Sequence, residues 1–150
     1  MNRNVTIKVW NIYKKEGRSF VMSQIVDFLH EAKVFYLATV GTDSPHIRPF
    51  SAVIAFENKI CFCTNNQKAI YQQLIANPRT EISAMADGSW IRLSGNAVFV
   101  DNEEIKKAML TEYPALNELY TVGDGLFEIF YLENISATIF KGPEQKILLD

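Results

Sequence analysis

The sequence predicts a mainly β domain with a few helices, and three features carry that expectation. Residues 35–64 read as three antiparallel strands, the first and third rich in β-branched and aromatic side chains and bounded by turn residues. Asp87-Gly88 is a two-residue hairpin signal between two further alternating runs. Gly95 interrupts the second of these, as at a bulge or bend of the kind that closes barrels. With 150 residues, 48% of them hydrophobic, the chain holds one full core and is too short for two ordinary domains.

Residues 1–21 mix apolar and basic side chains without sustained helical periodicity and read as an N-terminal extension; residues 22–150 are the expected single domain. Ser23 is placed to cap a short helix that turns Ile25, Phe28 and Leu29 to the core. Lys15, Glu16, Gly17 and Arg18 can be encoded by a purine-rich run of the kind that precedes bacterial start codons. Met22 is therefore the expected first residue of the native protein. If residues 1–21 are translated, a loosely attached arm is expected.

The first strand is Phe35 to Val40, followed by a Gly41 to Pro45 turn. The second, His46 to Phe56, carries Pro49, which cannot donate to a ladder and so belongs at an edge or a bulge. Arg48 and Phe50 share one face by alternation and Ser51 takes the other, giving a rim of donors and acceptors suited to the edge of a flat heterocycle. Glu57 to Lys59 make the next turn. In the third strand, Ile60 to Thr64, Cys61 and Cys63 point to one face and read as buried thiols, not a disulfide framework.

Thr64, Asn65, Asn66, Gln67 and Lys68 lead into AIYQQLIA, helical by the spacing of Ile70, Leu74 and Ile75. With an asparagine as N-cap, Lys68 falls in the first turn, where exposed amides favour anions. A cation there opposes the helix dipole, and makes more sense beside a phosphate held by the amides, Thr64 and the ammonium together. A solvated surface lysine is the commoner alternative.

Asn77 and Pro78 stop this helix, and Thr80 to Ala86 and Trp90 to Val100 follow as strands, with Trp90, Arg92 and Ser94 opposite Ile91 and Leu93. Asp101 reads as an N-cap, with Glu104 in the capping-box position, for a helix to about Thr111. PALNELY adds a short helical turn. LFEIFYLENISATIF reads as two strands broken near Glu133 and Asn134. The first, Phe127 to Leu132, is apolar on both faces apart from Glu128, which points to cover on each side and, in a small barrel, to a subunit interface. Gly142 to Asp150 is expected to be peripheral.

A net charge of −2 and a pI near 5.7 leave no electrostatic footprint for nucleic acid or an anionic membrane. No run approaches a membrane span and no signal core is present, so a cytoplasmic protein is expected. His30 and His46 lack clustered carboxylates or cysteines, and no metal site is expected. No GxSxG, GxGxxG or P-loop pattern occurs, which argues against a serine hydrolase, a Rossmann dinucleotide site and P-loop chemistry.

HIRPFSAVIAF, followed by ICFCTNNQKAIYQQLIANPRTEISA and SWIRLSGNAVFV, resembles the pyridoxamine 5'-phosphate oxidase-like proteins, the flavin-binding split-barrel group. The resemblance runs from about Ser23 to Phe140. It implies a six-stranded antiparallel split β-barrel of the FMN-binding type, homodimeric, with FMN at the interface. It also implies that Arg48, Pro49, Phe50 and Ser51 line the isoalloxazine edge. Thr64 and Lys68, with Asn65, Asn66 and Gln67 between them, are placed at the phosphate end, and Trp90, otherwise a core aromatic, near the cofactor. The implied activity is a flavin-dependent oxidoreductase on a small substrate, in which no catalytic acid or base need appear because the cofactor carries the chemistry. The alternatives are a flavin-binding or storage protein without turnover, and a relative that binds a deazaflavin or haem. Authentic oxidases of this name carry a C-terminal arginine and histidine motif for the substrate phosphate; this chain ends FKGPEQKILLD with neither, which leaves the substrate open.

Overall fold

A computed structural model describes residues 3–150, with side chains from residue 17 onward. Eight strands form one antiparallel sheet: β1 (Phe35–Val40), β2 (Pro45–Phe50), β3 (Val53–Phe56), β4 (Lys59–Asn65), β5 (Arg79–Ala86), β6 (Ser89–Val100), β7 (Phe127–Lys141) and β8 (Glu144–Leu149). Their order is β2-β1-β5-β6-β7-β4-β3, with β8 also on β7. The two ends of this order are halves of one stretch of chain, separated only by Ser51 and Ala52. β2 pairs with β1 from Phe35↔Phe50 to Val40↔Pro45, and β3 pairs with β4 from Val53↔Phe62 to Phe56↔Lys59. The stretch carrying Pro49 therefore joins the two edges of the sheet. Counted once, it makes the six strands of a split barrel, and β8 is an addition to them. Pro49 sits on a strand with one laddered side, where a missing donor costs little.

Three helices, α1 (Arg3–Ala32), α2 (Ala69–Ala76) and α3 (Glu103–Glu112), and a 3-10 turn at Pro114–Glu118 are the other regular elements among the described residues. The barrel interior packs Phe35, Leu37, Phe62, Ile82, Leu93 and Phe130 against Met22, Ile25 and Leu29 of α1 and Leu74 of α2. Phe62 stacks on Phe130 with ring centres 5.4 Å apart and meets Phe35 edge-on at 5.7 Å. A second cluster lies on the other face of β4 and β7, where Cys61, Cys63, Phe127 and Ile129 pack under Ile105 and Met109 of α3. The apolar character of Phe127 to Leu132 on both faces thus has cover within the chain, and the subunit interface expected there is not needed to explain it. The two cysteines do share a face, as free buried thiols. Among the described residues, no helix is long and apolar enough to cross a membrane.

Several element boundaries differ from the sequence reading. α1 runs unbroken through Met22 and Ser23, and the Ser23 hydroxyl donates to the Ser19 carbonyl at 3.1 Å, a mid-helix bond and not a cap. Residues 3–20 contain no proline, and a helix already nucleated by the packed Met22 to Leu29 turns extends through them without an apolar stripe. The reading of residues 1–21 as an untranslated or loosely attached extension falls largely on side chains outside those described. β7 is one strand: the expected break is a bulge, with Asn134 at φ 50° where the β6 register shifts between Ser94 and Asn96. Gly95 permits it, since a Cβ there would lie 2.9 Å from the Glu133 carbonyl oxygen. The tail, expected to be peripheral, is the mostly exposed strand β8, paired to β7 from Lys141↔Glu144 to Ala137↔Leu149. Asn102, not Asp101, caps α3, its Oδ1 accepting from the Glu104 and Ile105 amides at 2.9 and 3.0 Å, while Asp101 pairs with Lys106 Nζ at 2.7 Å. The Asp87-Gly88 hairpin is present as expected, both residues having positive φ.

Candidate functional site

Where the chain crosses from β2 to β3 it leaves one edge of the barrel for the other, and its backbone needs partners outside the ladder. Val53 finds them in side chains. Its amide donates to the Tyr113 hydroxyl, and its carbonyl accepts from that hydroxyl and faces His30 Nε2 at 2.8 Å. α1 and the end of α3 therefore pin the crossing from behind, and Phe50, Ser51 and Ala52 are held over a cavity of about 370 Å³. Cys63, Thr64 and Lys68 form another wall, with Ile70 behind them; Leu116, Leu119 and Tyr120 form a third.

At the end of β4 the Thr64 hydroxyl is buried and, among the described residues, is the one buried side-chain polar atom without a hydrogen-bond partner. Such a group costs about 1–3 kcal/mol unless something pairs with it. Lys68 stands beside it as the N-cap of α2, with extended backbone and no side-chain cap on the helix amides. This corrects the expectation of an asparagine cap with Lys68 in the first turn. Asn65 Oδ1 instead accepts from the Gln67 amide, and its Nδ2 donates to the Tyr120 hydroxyl at 3.1 Å. Asn66 Nδ2 donates to the Gly125 carbonyl and Glu128 Oε1 at 2.7 and 3.0 Å. Both side chains are spent on tying this corner to β7 and the loop before it.

Arg48 and Lys68 line the cavity, and among the described residues no carboxylate does. Burial lowers the Arg48 guanidinium from its ordinary value, yet an arginine stays cationic under such a shift. The Cys63 thiol is pushed up to about 12 by burial, against the pull of Lys68, so it is neutral in the cavity wall.

Six of the predicted residues thus converge: Arg48, Pro49, Phe50, Ser51, Thr64 and Lys68. Asn65, Asn66 and Gln67 lie next to the cavity without lining it. Trp90 is elsewhere, half-buried on β6 and stacked on Phe140 at 4.2 Å with Arg92 above the ring. Ala52 and Cys63 were missed although each neighbours a predicted residue. Leu116, Leu119 and Tyr120 carried no sequence signal, because only the fold-back after α3 brings them here. A groove of about 420 Å³ bordered by Val40, Pro45, Arg79 and Glu81 is larger, but among the described residues no unpartnered buried polar atom faces it.

Residues 21–119 match the family model described as pyridoxamine 5'-phosphate oxidase. The chain belongs to the pyridoxamine 5'-phosphate oxidase-like family. Among solved structures it is similar to a NimC/NimA family protein from Clostridium acetobutylicum, 40% identical, with 84% of this chain and 92% of that one covered and a TM-score of 0.80. Two more distant structures share the fold of this family member. One is a pyridoxamine 5'-phosphate oxidase-related, FMN-binding protein from Nostoc punctiforme, 16% identical over 83% of this chain and 86% of that one, TM-score 0.59. The other is a haem-binding protein from Mycobacterium smegmatis, 16% identical over 89% and 56%, TM-score 0.67. No curated protein matches the sequence.

Proposed function

We propose that the protein is a cytoplasmic FMN-binding oxidoreductase acting on a small substrate. The observation that carries this is the unpartnered Thr64 hydroxyl, buried beside Lys68 at a helix N-terminus without a side-chain cap. Hydroxyl, ammonium and helix amides together suit one phosphate. The rest of the cavity suits a flat ring: Phe50, Leu116 and Leu119 offer apolar wall, and backbone groups at Ser51 and Ala52 offer polar contacts along an edge. FMN combines one phosphate with one such ring. Haem fits less well, since among the described residues no histidine or methionine lines the cavity, Cys63 is a neutral buried thiol, and the Tyr120 hydroxyl already binds Asn65.

Bound FMN supplies hydride and electron transfer. Lys68, Thr64 and the α2 amides hold its phosphate, the crossing at Ser51 and Ala52 orients the ring edge, and Leu116 and Leu119 limit water. A flavin-binding protein without turnover would use the same site, and reduction by NADH or NADPH separates the two.

The partner we propose is a second copy of the chain. Ile47, Tyr36 and Met85 are 68%, 50% and 74% exposed on the outer face of the sheet, where Pro49, Tyr36, Ser83 and Arg92 form one registered row. Pro49 belongs to both this face and the cavity. Trp90, outside the cavity of its own protomer, serves the site only across such an interface.

The visible absorption spectrum of the purified protein, with mass analysis of what heat releases, tests the reading. Flavin bands and released FMN are expected. A colourless protein that takes up no added FMN overturns it.

A further inference from the structure

We infer that Arg48 is a positioning residue of this site, acting through Gln73: with Thr39 the two form a brace that fixes the ring rim at Pro49 to Ala52 relative to the phosphate corner at Thr64 and Lys68. The inference rests on the FMN reading above. Arg48 Nη1 donates to Thr39 Oγ1 at 2.8 Å, and Nη2 to Gln73 Oε1 at 2.7 Å. Thr39 Oγ1 donates in turn to the same Gln73 oxygen at 2.5 Å, which closes a ring of three hydrogen bonds. Nη1 also lies 3.2 Å from the Leu37 carbonyl and 3.3 Å from that of His46.

Three elements meet in this ring. Arg48 precedes Pro49 on β2, Thr39 is buried on β1, and Gln73 is on α2, whose N-cap is Lys68. A helix is stiff along its axis, so holding Gln73 holds Lys68 and the first amides of α2 as well. The fork of the guanidinium faces this ring of bonds, and among the described residues its acceptors are all neutral and no carboxylate pairs with it. A ligand reaching from rim to phosphate corner feels the brace; one that touches only the rim does not.

The test compares FMN with riboflavin, which lacks the phosphate, at about 0.3 M salt to shorten the range of charge effects. Gln73→Met keeps the length and helix propensity of the side chain but removes the acceptor. It is expected to weaken FMN about tenfold, the scale of one charge-assisted hydrogen bond, and riboflavin by less than about twofold. Gln73→Glu retains an oxygen for both donors and should keep the FMN preference within about threefold of the parent. Arg48→Lys, which cannot fork to two acceptors, should behave as Gln73→Met does. If Gln73→Met does not fold, Thr39→Val breaks the same ring and carries the same expectation. An unchanged FMN preference in Gln73→Met or Thr39→Val, or equal loss in Gln73→Met and Gln73→Glu, overturns the brace while leaving the FMN reading in place. A parent protein that binds neither ligand overturns both.

Discussion

The Tyr113 hydroxyl meets both backbone groups of Val53, donating to its carbonyl at 3.0 Å and accepting from its amide at 3.2 Å. A side chain from the end of α3 thus stands in for a neighbouring strand at the point where the chain crosses the barrel. Burial raises the Tyr113 hydroxyl above its ordinary value, so it remains a donor at neutral pH. Tyr113→Phe leaves the Val53 amide unsatisfied and should destabilise the fold by about 1–3 kcal/mol. Urea unfolding is the measurement, with a lower midpoint and an unchanged slope expected. Stability equal to the parent would mean that the crossing does not depend on this hydroxyl.

Thr64→Val gives a pair of effects with opposite signs. Valine has nearly the shape of threonine and suits a strand, and it removes a buried hydroxyl that has no partner among the described residues. The variant without ligand should be as stable as the parent or more so, by up to about 1 kcal/mol, while FMN binds more weakly. A lower melting temperature with unchanged FMN affinity would assign the hydroxyl a purely structural role.

Lys68→Ala should weaken FMN by about 1–3 kcal/mol and leave riboflavin nearly unchanged, as for a charge-assisted contact to phosphate. Titration of both ligands by flavin fluorescence checks this. Equal losses for the two would place the lysine against the ring and not the phosphate.

The residues of the site that sit together in sequence were readable from it, and those that arrive through the fold were not. Pro49 announced an edge strand because its missing donor is a local fact, and Thr64 and Lys68 flank a strand-to-helix junction that composition marks. Asn65 and Asn66 look like helix caps in sequence, but their amides reach Tyr120, Gly125 and Glu128, and nothing local says which partner wins. The continuity of β7 is of the same kind. Asn134 and Gly95 lie far apart in the chain, and a bulge shared between them reads as a strand break when only one is in view. β8 escaped notice because EQKILL does not alternate and its side chains are mostly exposed.

Cys61 and Cys63 are buried thiols, and burial pushes each up to about 12, against the opposing pull of Lys59 and Lys68 respectively. Native protein should therefore react slowly with thiol reagents from pH 7 to 9, with two thiols appearing on unfolding. A raised thiol value also means that this contribution to stability is present below the unfolded thiol value near 9 and fades as pH rises toward 12. Rapid labelling of the folded protein at pH 7 would show that α3 opens readily from the cysteine face.

Asp124 staples the loop that leads from Tyr120 into β7. Its Oδ1 accepts from the Phe127 and Leu126 amides at 2.8 Å each, and its Oδ2 from the Thr121 amide at 2.9 Å. These bonds hold its carboxyl below the ordinary value, the Phe127 amide contributing most. A depressed folded value contributes stability above the unfolded carboxyl value of about 4, and that stability is lost as pH falls through the folded value. Asp124→Asn retains one acceptor oxygen and cannot serve both sides of the loop. The variant should be less stable than the parent at pH 7, and the gap should close as the pH is lowered below about 4. Thermal unfolding of the pair from pH 7 to 3 measures this; a gap that persists at the acid end would show that the loop is held by shape and not by the charge on Asp124.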